Sequence, residues 1–255
     1  MGDRPIVIKN PPEIDLMRAA GRINAMVLQE VGKMVRPGIT TQELDSAAEE
    51  LILQNGGIPA FKNYPGPYPY PATLTVSVNE ELVHGIPGKR ILKEGDIVSI
   101  DCGTILDGFV ADSAFSMGVG SISSQAQLLL DVTEKALYKG IEKMRAGNRV
   151  GDVSATIQNY VEGFNFHVPR EYTGHGVGRN MHEGPLVPNF GVSGRGIPLR
   201  PGFTVALEPM VMIGTHRTRV LEDQWTVISA DRSLTAHFEH SVAVTEGEPI
   251  ILTAI

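Results

Sequence analysis

Between Ile97 and Met117 the chain reads IVSIDCGTILDGFVADSAFSM, two mainly apolar runs on either side of Asp107-Gly108. An Asp-Gly step between two such runs signals a two-residue hairpin turn. The turn sets register as well as topology. It pairs Leu106 with Phe109, and counting back from there pairs Asp101 with Ala114 and Gly103 with Asp112. Directly paired residues share a face, so Asp101 and Asp112 point the same way as diagonal neighbours, with Cα atoms roughly 7–8 Å apart. Gly103 opposite Asp112 leaves space at that point. The surrounding positions, among them Ile97, Val98, Ile100, Ile105, Phe109 and Val110, are apolar, so both acids are expected to be part-buried. Two like charges in such a setting are unfavourable unless a proton or a cation joins them. The hairpin thus constrains the chain to an antiparallel sheet that carries an acidic site.

The bulk properties leave room for this. A chain of 255 residues that is 42% hydrophobic can bury a substantial core, as one large domain or two fused halves. A net charge of −7 argues against nucleic acid as a standing partner. The single cysteine, Cys102, excludes an intrachain disulfide framework and a cysteine-only zinc site. It alternates to the face opposite Asp101 and is expected to be a core thiol. Met1 to Lys9 lacks the basic start and apolar run of a secretion signal, and no apolar run of membrane-spanning length occurs, so a cytoplasmic location is expected.

Helix signals precede the hairpin and recur after it. Asn10 as N-cap, Pro11 at the first helical position and Glu13 three residues after the cap predict a helix, whose apolar stripe from Ile14 to Met34 carries it to about Val35. Thr40 and Glu43 form a capping box for a second helix, running to Gln54 and ending at Gly56-Gly57. A shift of 109 residues lays Leu28, Arg36 and Gly38 on the identical Leu137, Arg145 and Gly147. A shift of 107 lays KEGDIVSID, ending at Asp101, on RPGFTVALE, ending at Glu208. The expected architecture is therefore α+β with two similar halves, each a helix pair followed by antiparallel strands. The crevice between the halves would receive acids from both.

The second half holds further candidates. Glu208 is read in an apolar strand before Pro209, and Glu239 shares a strand face with His237 and Ser241. Val220 to Ile228 is read as a strand that carries Trp225. The stretch TGHGVGRNMHEGP contains His175 and His182 among glycines, and His84 precedes a Gly-Ile-Pro-Gly turn. Each residue alone has an ordinary reading, since a lone strand Glu is usually solvated and a loop His usually lies at the surface. Glu80, Glu81, Glu183 and Glu222 are read as solvated. His182-Glu183 is not a zinc-protease helix motif, because position 186 is Leu, and Gly174-x-Gly176-x-Gly178 has neither the spacing nor the helix of a dinucleotide fingerprint.

Together, the ordered set Asp101, Asp112, His175, Glu208 and Glu239, in the contexts NEELVHGIP, GHGVGRNMHE, LEPM and FEH, resembles type I methionine aminopeptidase of peptidase family M24. The similarity runs from Pro11 to Val244. It implies a pseudo-two-fold pita-bread fold, an antiparallel sheet covered by two helix pairs. Residues 1–255 would form a single catalytic domain of two halves, about 11–118 and 119–250. It also implies that Asp101, Asp112 and Glu239 hold one divalent cation, that Asp112, His175, Glu208 and Glu239 hold another, and that Asp112 and Glu239 bridge. Four carboxylates balance two divalent cations in charge, and hard oxygen donors with one imidazole suit Co, Mn, Fe(II) or Zn.

By the same resemblance Glu208 would handle the proton, His182 would stabilise developing charge, and His84 would meet the substrate or the leaving amine. Tyr70, Met181 and Trp225 would line the methionine pocket, although Met181 stands where phenylalanine is common and Thr75 where cysteine is frequent. The stretch KNYPGPYPYP from Lys62 and the stretch from Val187 to Arg200 are read as loops. The implied activity removes the N-terminal methionine of nascent polypeptides, at the ribosome, when the second residue is small and uncharged. Neither a nucleic-acid substrate nor a membrane is expected, and a monomer is the expected state. The rivals are a proline-specific peptidase of the same fold, a metal-free binding module built on it, and an unrelated phosphate-handling two-metal hydrolase. The apolar flanks of the acids, poor in Lys and Arg, speak against the last.

Overall fold

The structure is a computed structural model describing residues 5–255, so residues 1–4 of the N-terminal stretch read above lie outside the described residues. Helix α1 (Pro11–Met34) opens on a complete capping box, in which Glu13 N donates to Asn10 Oδ1 at 3.0 Å and Asn10 N donates to Glu13 Oε2 at 2.9 Å. Helix α2 (Thr41–Gln54) opens on the same device, with Thr40 N donating to Glu43 Oε2 at 2.8 Å. Such a cap stabilises a helix by about 1 kcal/mol and sets where it starts. Helices α3 (Ser124–Ile141) and α4 (Val150–Glu162) complete the set. The 109-residue shift carries Thr41, where α2 begins, to Val150, where α4 begins. It carries Gly38 at φ +94° to Gly147 at φ +93°, a backbone conformation that favours glycine in both links.

The first half contributes β1 (Ile58–Pro59), β2 (Leu74–Val78), β3 (Glu81–Val83), β4 (Ile97–Leu106) and β5 (Phe109–Gly118). The second contributes β6 (Thr173–Gly176), β7 (Glu183–Pro188), β8 (Thr204–Leu207), β9 (Met210–Met212), β10 (Thr218–Val220), β11 (Val227–Ser229), β12 (Thr235–His237), β13 (Glu239–Ala243) and β14 (Ile250–Ile251). The main sheet has nine strands, ordered β1-β4-β5-β13-β8-β6-β7, with β2 paired to β4 and β14 to β13. The β4–β5 hairpin has the register read from Asp107-Gly108, including Asp101↔Ala114 and Gly103↔Asp112. The halves join where β5 pairs antiparallel with β13, Glu239 opposite Ala114.

Alternation along these strands sorts the residues by face. Val98, Ile100 and Cys102 pack with Val27, Val31 and Leu44, so the thiol is a fully buried core group. Leu129, Leu137 and Ile157 pack likewise on Val205, Leu207 and Val242. The helix pairs thus cover one face and leave the other to the acids. Each such fully buried aliphatic side chain contributes roughly 1.5–3 kcal/mol. Among the described residues no helix is long and apolar enough to cross a membrane.

Three local expectations change. Val220–Ile228 is not one strand: β10 and β11 pair with each other, and Trp225 lies in the link between them. Asp223 makes that turn, accepting from Trp225 N at 2.9 Å and Thr226 N at 2.8 Å, a side-chain turn that a β-rich pattern conceals. Glu208 lies one residue beyond β8, next to Pro209, whose ring has no N–H to continue a ladder. Val187 and Pro188 belong to β7 rather than to the following loop.

Candidate metal centre and its cavity

Register brings the acids together. Ala114 is paired with Asp101 on one side and Glu239 on the other, so these residues form a row across β4, β5 and β13. Adjacent strands lie about 4.8 Å apart, and the row gains depth from small residues at its centre. Gly103 opposes Asp112, and Ala206 opposes both His175 and Ser241. A Cβ on Gly103 would lie 2.8 Å from Phe61, so this glycine also admits the chain beneath the site. Ser241 locks the two halves together at Asp112: its hydroxyl accepts from Asp112 N at 3.0 Å and donates to Asp112 O at 2.8 Å.

Asp112 and Glu239 are 3% and 2% exposed, and Asp101 is 9% exposed. Asp101 Oδ1, Asp112 Oδ1 and Glu239 Oε1 are buried with no hydrogen-bond partner, a costly arrangement for carboxylates. Burial pushes the Asp101 carboxyl up to about 7. It pushes Asp112, Glu208 and Glu239 well above the carboxylate range, helped by the negative charges they present to one another. One oxygen or nitrogen each from Asp112, His175 and Glu239 lie within 4.8 Å of one another, as do those from Asp101, His237 and Glu239. Orphaned oxygens, mutual repulsion and an imidazole at this spacing are a donor set that fits divalent cations.

His175 enters from β6. Its Nδ1–H donates to the Gly176 carbonyl at 2.9 Å, which leaves the Nε2 lone pair facing Glu208 Oε1 at 3.4 Å and Asp112 Oδ2 at 3.8 Å. The His182 ring lies 4.2 Å from the His175 ring, centroid to centroid, and its Nδ1 is hydrogen-bonded to the Tyr64 hydroxyl at 2.5 Å. His84 adopts a left-handed backbone at φ +61°, and burial pulls its imidazole down to about 4, so it is neutral at physiological pH.

The loop that carries Met181 and His182 is held from inside. Glu183, expected to be solvated, is 2% exposed. Its Oε1 accepts from Arg179 N at 2.8 Å and Asn180 N at 3.0 Å, and its Oε2 pairs with the buried Lys9 ammonium. Lys9 N in turn donates to Gly202 O at 2.9 Å. A buried carboxylate with this many donors is a structural clamp, and its partner lies 174 positions away in the chain.

An apolar pocket opens beside the acids. Tyr70 is 2% exposed and stacks edge-on against Trp225 at 5.1 Å, while its hydroxyl donates to Leu74 O and Gly85 O, both at 3.0 Å. Trp225 in turn meets Tyr68 at 6.2 Å and His84 at 6.3 Å, and a Cβ on Gly66 would lie 2.3 Å from the Trp225 ring. The proline-rich loop is therefore packed onto the pocket wall. One cavity of about 230 Å³ is lined by all ten residues singled out from the sequence: Asp101, Asp112, His175, Glu208, Glu239, His84, His182, Tyr70, Met181 and Trp225. Phe61, Tyr64 and Tyr172 also line it, and no spacing in the sequence marks them. His237 sits behind the acids, and its place on the Glu239 face was its one legible signal.

The family model of Metallopeptidase family M24 matches residues 15–246. A methionine aminopeptidase of Clostridium perfringens (strain 13 / Type A) is 51% identical over 250 residues, which cover 98% of this chain and 99% of that protein. Methionine aminopeptidase 1 of Bacillus subtilis (strain 168) is 48% identical over 98% of this chain and 100% of its own length. The crystal structure of methionine aminopeptidase from Thermotoga maritima superposes with a TM-score of 0.95 at 45% identity, covering 98% of this chain and 100% of that one. The fold is thus the pseudo-two-fold pita-bread arrangement. With matches of this extent, the chain belongs to metallopeptidase family M24, among its methionine aminopeptidases.

Proposed function

We propose that this chain removes the N-terminal methionine from nascent polypeptides by metal-dependent hydrolysis when the second residue is small and uncharged. The observation that carries the reading is the convergence of buried, orphaned carboxylate oxygens and an apolar aromatic pocket on one cavity. Asp101, Asp112 and Glu239 would hold one divalent cation, and Asp112, His175, Glu208 and Glu239 a second, Asp112 and Glu239 belonging to both sets. Bound divalent cations polarise a peptide carbonyl and acidify water near neutral pH.

The chain's own groups do the rest. Glu208 takes the proton that water releases as the C–O bond forms and returns it to the amine as the C–N bond breaks. His182, steadied by Tyr64, donates to the carbonyl oxygen as negative charge develops there. His84, neutral and beside Trp225, meets the substrate amide. Tyr70, Met181 and Trp225 take the first side chain, and burying a methionine there contributes roughly 1.5–3 kcal/mol. The second side chain lies at the crowded metal rim, which favours Gly, Ala or Ser.

Co, Mn, Fe(II) and Zn all suit the donors. Residues 11–118 and 119–250 act as two halves of one catalytic domain, since each supplies ligands. We further take the working unit to be a cytoplasmic monomer that meets nascent chains at the ribosome. The test is release of the first residue from Met-Ala-Ser and Ala-Pro peptides, before and after chelation. Methionine release should vanish on chelation and return with Co(II), Mn(II) or Fe(II). Full activity in rigorously metal-free protein would overturn the reading, and faster release of alanine from Ala-Pro would move the chain to the proline-specific peptidases.

A further inference from the structure

His237 ends β12 two residues before Glu239 and has no place in the roles above. Its side chain is 2% exposed, and its Nε2 is buried without a hydrogen-bond partner. That nitrogen lies 3.7 Å from Glu239 Oε2 and 3.9 Å from Glu208 Oε2, just outside hydrogen-bonding distance of both. His237 does not line the cavity that the two glutamates line, so it stands behind them. Its backbone is fixed on both sides by one hydroxyl: Ser116 Oγ accepts from His237 N and donates to His237 O, both at 2.8 Å. Ser116 Oγ is itself 2.7 Å from Ser99 Oγ on β4. The backbone that bears the imidazole is therefore anchored to the hairpin that carries Asp101 and Asp112.

We propose that His237 is a positioning residue of the metal centre, whose Nε2–H holds the Glu208 and Glu239 carboxylates from behind in the orientation in which they would ligate. A neutral imidazole has one N–H to give, and the carboxylate oxygens within 4 Å of Nε2 are those of Glu208 and Glu239. A movement of under one ångström by either glutamate closes the bond. Such outer donors restrict the orientation of a ligating carboxylate, and their loss weakens metal affinity by about 10–100-fold. The rival role is direct ligation, since donor atoms of Asp101, His237 and Glu239 lie within 4.8 Å of one another. Its position behind the cavity wall favours the outer role.

The inference rests on the two-metal reading, and the test separates the two. Co(II) is titrated into metal-free wild type, His237→Gln and His237→Leu, following stoichiometry and Kd by visible absorption. Imidazoles bound directly to Co(II) are counted by X-ray absorption at the cobalt edge. His237→Leu, or His237→Met if Leu disturbs folding, should bind Co(II) about 10–100-fold more weakly. His237→Gln keeps an N–H donor and should stay close to wild type. All variants should show the single bound imidazole of His175. Unchanged affinity in both apolar variants overturns the proposal. So does a cobalt-edge fit that needs a second bound imidazole in wild type and loses it in His237→Gln, which makes His237 a ligand. If wild type itself binds no Co(II), it is the two-metal reading that fails.

Discussion

Asp112 and Glu239 occupy different strands, 3% and 2% exposed, yet each carries an oxygen with no partner in the folded chain. Residues of this kind are held against their own electrostatic preference, because folding desolvates them and crowds them with like charge. Removing one should therefore harm function and relieve the metal-free fold. Asp112→Ala and Glu239→Ala should each disturb both cations and abolish turnover, whereas Asp101→Ala should mainly weaken one. Elemental analysis and calorimetry on the same samples check this. Metal content should fall while the Tm of the stripped Asp112 variant rises, at about 2–4 °C per kcal/mol of repulsion relieved. Two tightly held metals in Asp112→Ala would refute its bridging role.

At the scale of elements, the loop between β6 and β7 sets Met181 and His182 in the cavity lining, and its conformation is fixed by Glu183. The Lys9 ammonium that completes this clamp comes from the segment before α1, so an N-terminal residue holds a loop of the second half. Deleting one partner of a buried pair leaves the other uncompensated and costs roughly 3–5 kcal/mol. Lys9→Met should lower the Tm by that measure and reduce kcat more than metal content, because His182 in the cavity lining loses its fixed position. Retention of full kcat in a folded Lys9→Met protein would show that the clamp is dispensable for the loop.

For the whole molecule, the concentration of acids in the crevice makes stability depend on pH and on metal together. In the metal-free protein these carboxyls titrate above their unfolded values, near 4. A raised folded pKa contributes stability that is fully present below the unfolded value and is lost as pH rises through the folded one, about 7 for Asp101. His84 and His237 have the opposite sign. Burial lowers them from 6.5 to about 4 and about 3, so their contribution is present above 6.5 and lost as pH falls below it. Between pH values of about 8 and 6.5 the acids dominate. The Tm of stripped protein should rise as pH is lowered across that interval and rise less steeply below it, as the histidines begin to oppose. Metal-loaded protein should lack the rise, since bound cations already neutralise the acids. Scanning calorimetry at constant ionic strength reads both curves, and a flat curve for stripped protein would mean that the acids do not repel one another.

The sequence by itself determined everything that depends on local chemistry. Asp107-Gly108 and strand alternation dictated the hairpin register and so the common face of Asp101 and Asp112. The Asn10 and Thr40 caps dictated where α1 and α2 begin, and the 109-residue shift located their counterparts. The proposed ligand set rests on resemblance, because a lone acid in a strand carries no local sign of its partners. Tertiary structure alone decided what lies between distant segments. It buried Glu183 against Lys9, placed Tyr64 on His182 and brought His237 behind Glu208. These contacts join side chains whose spacing follows no helical or strand period. They are fixed by how the halves pack, and periodicity along the chain holds no record of that packing.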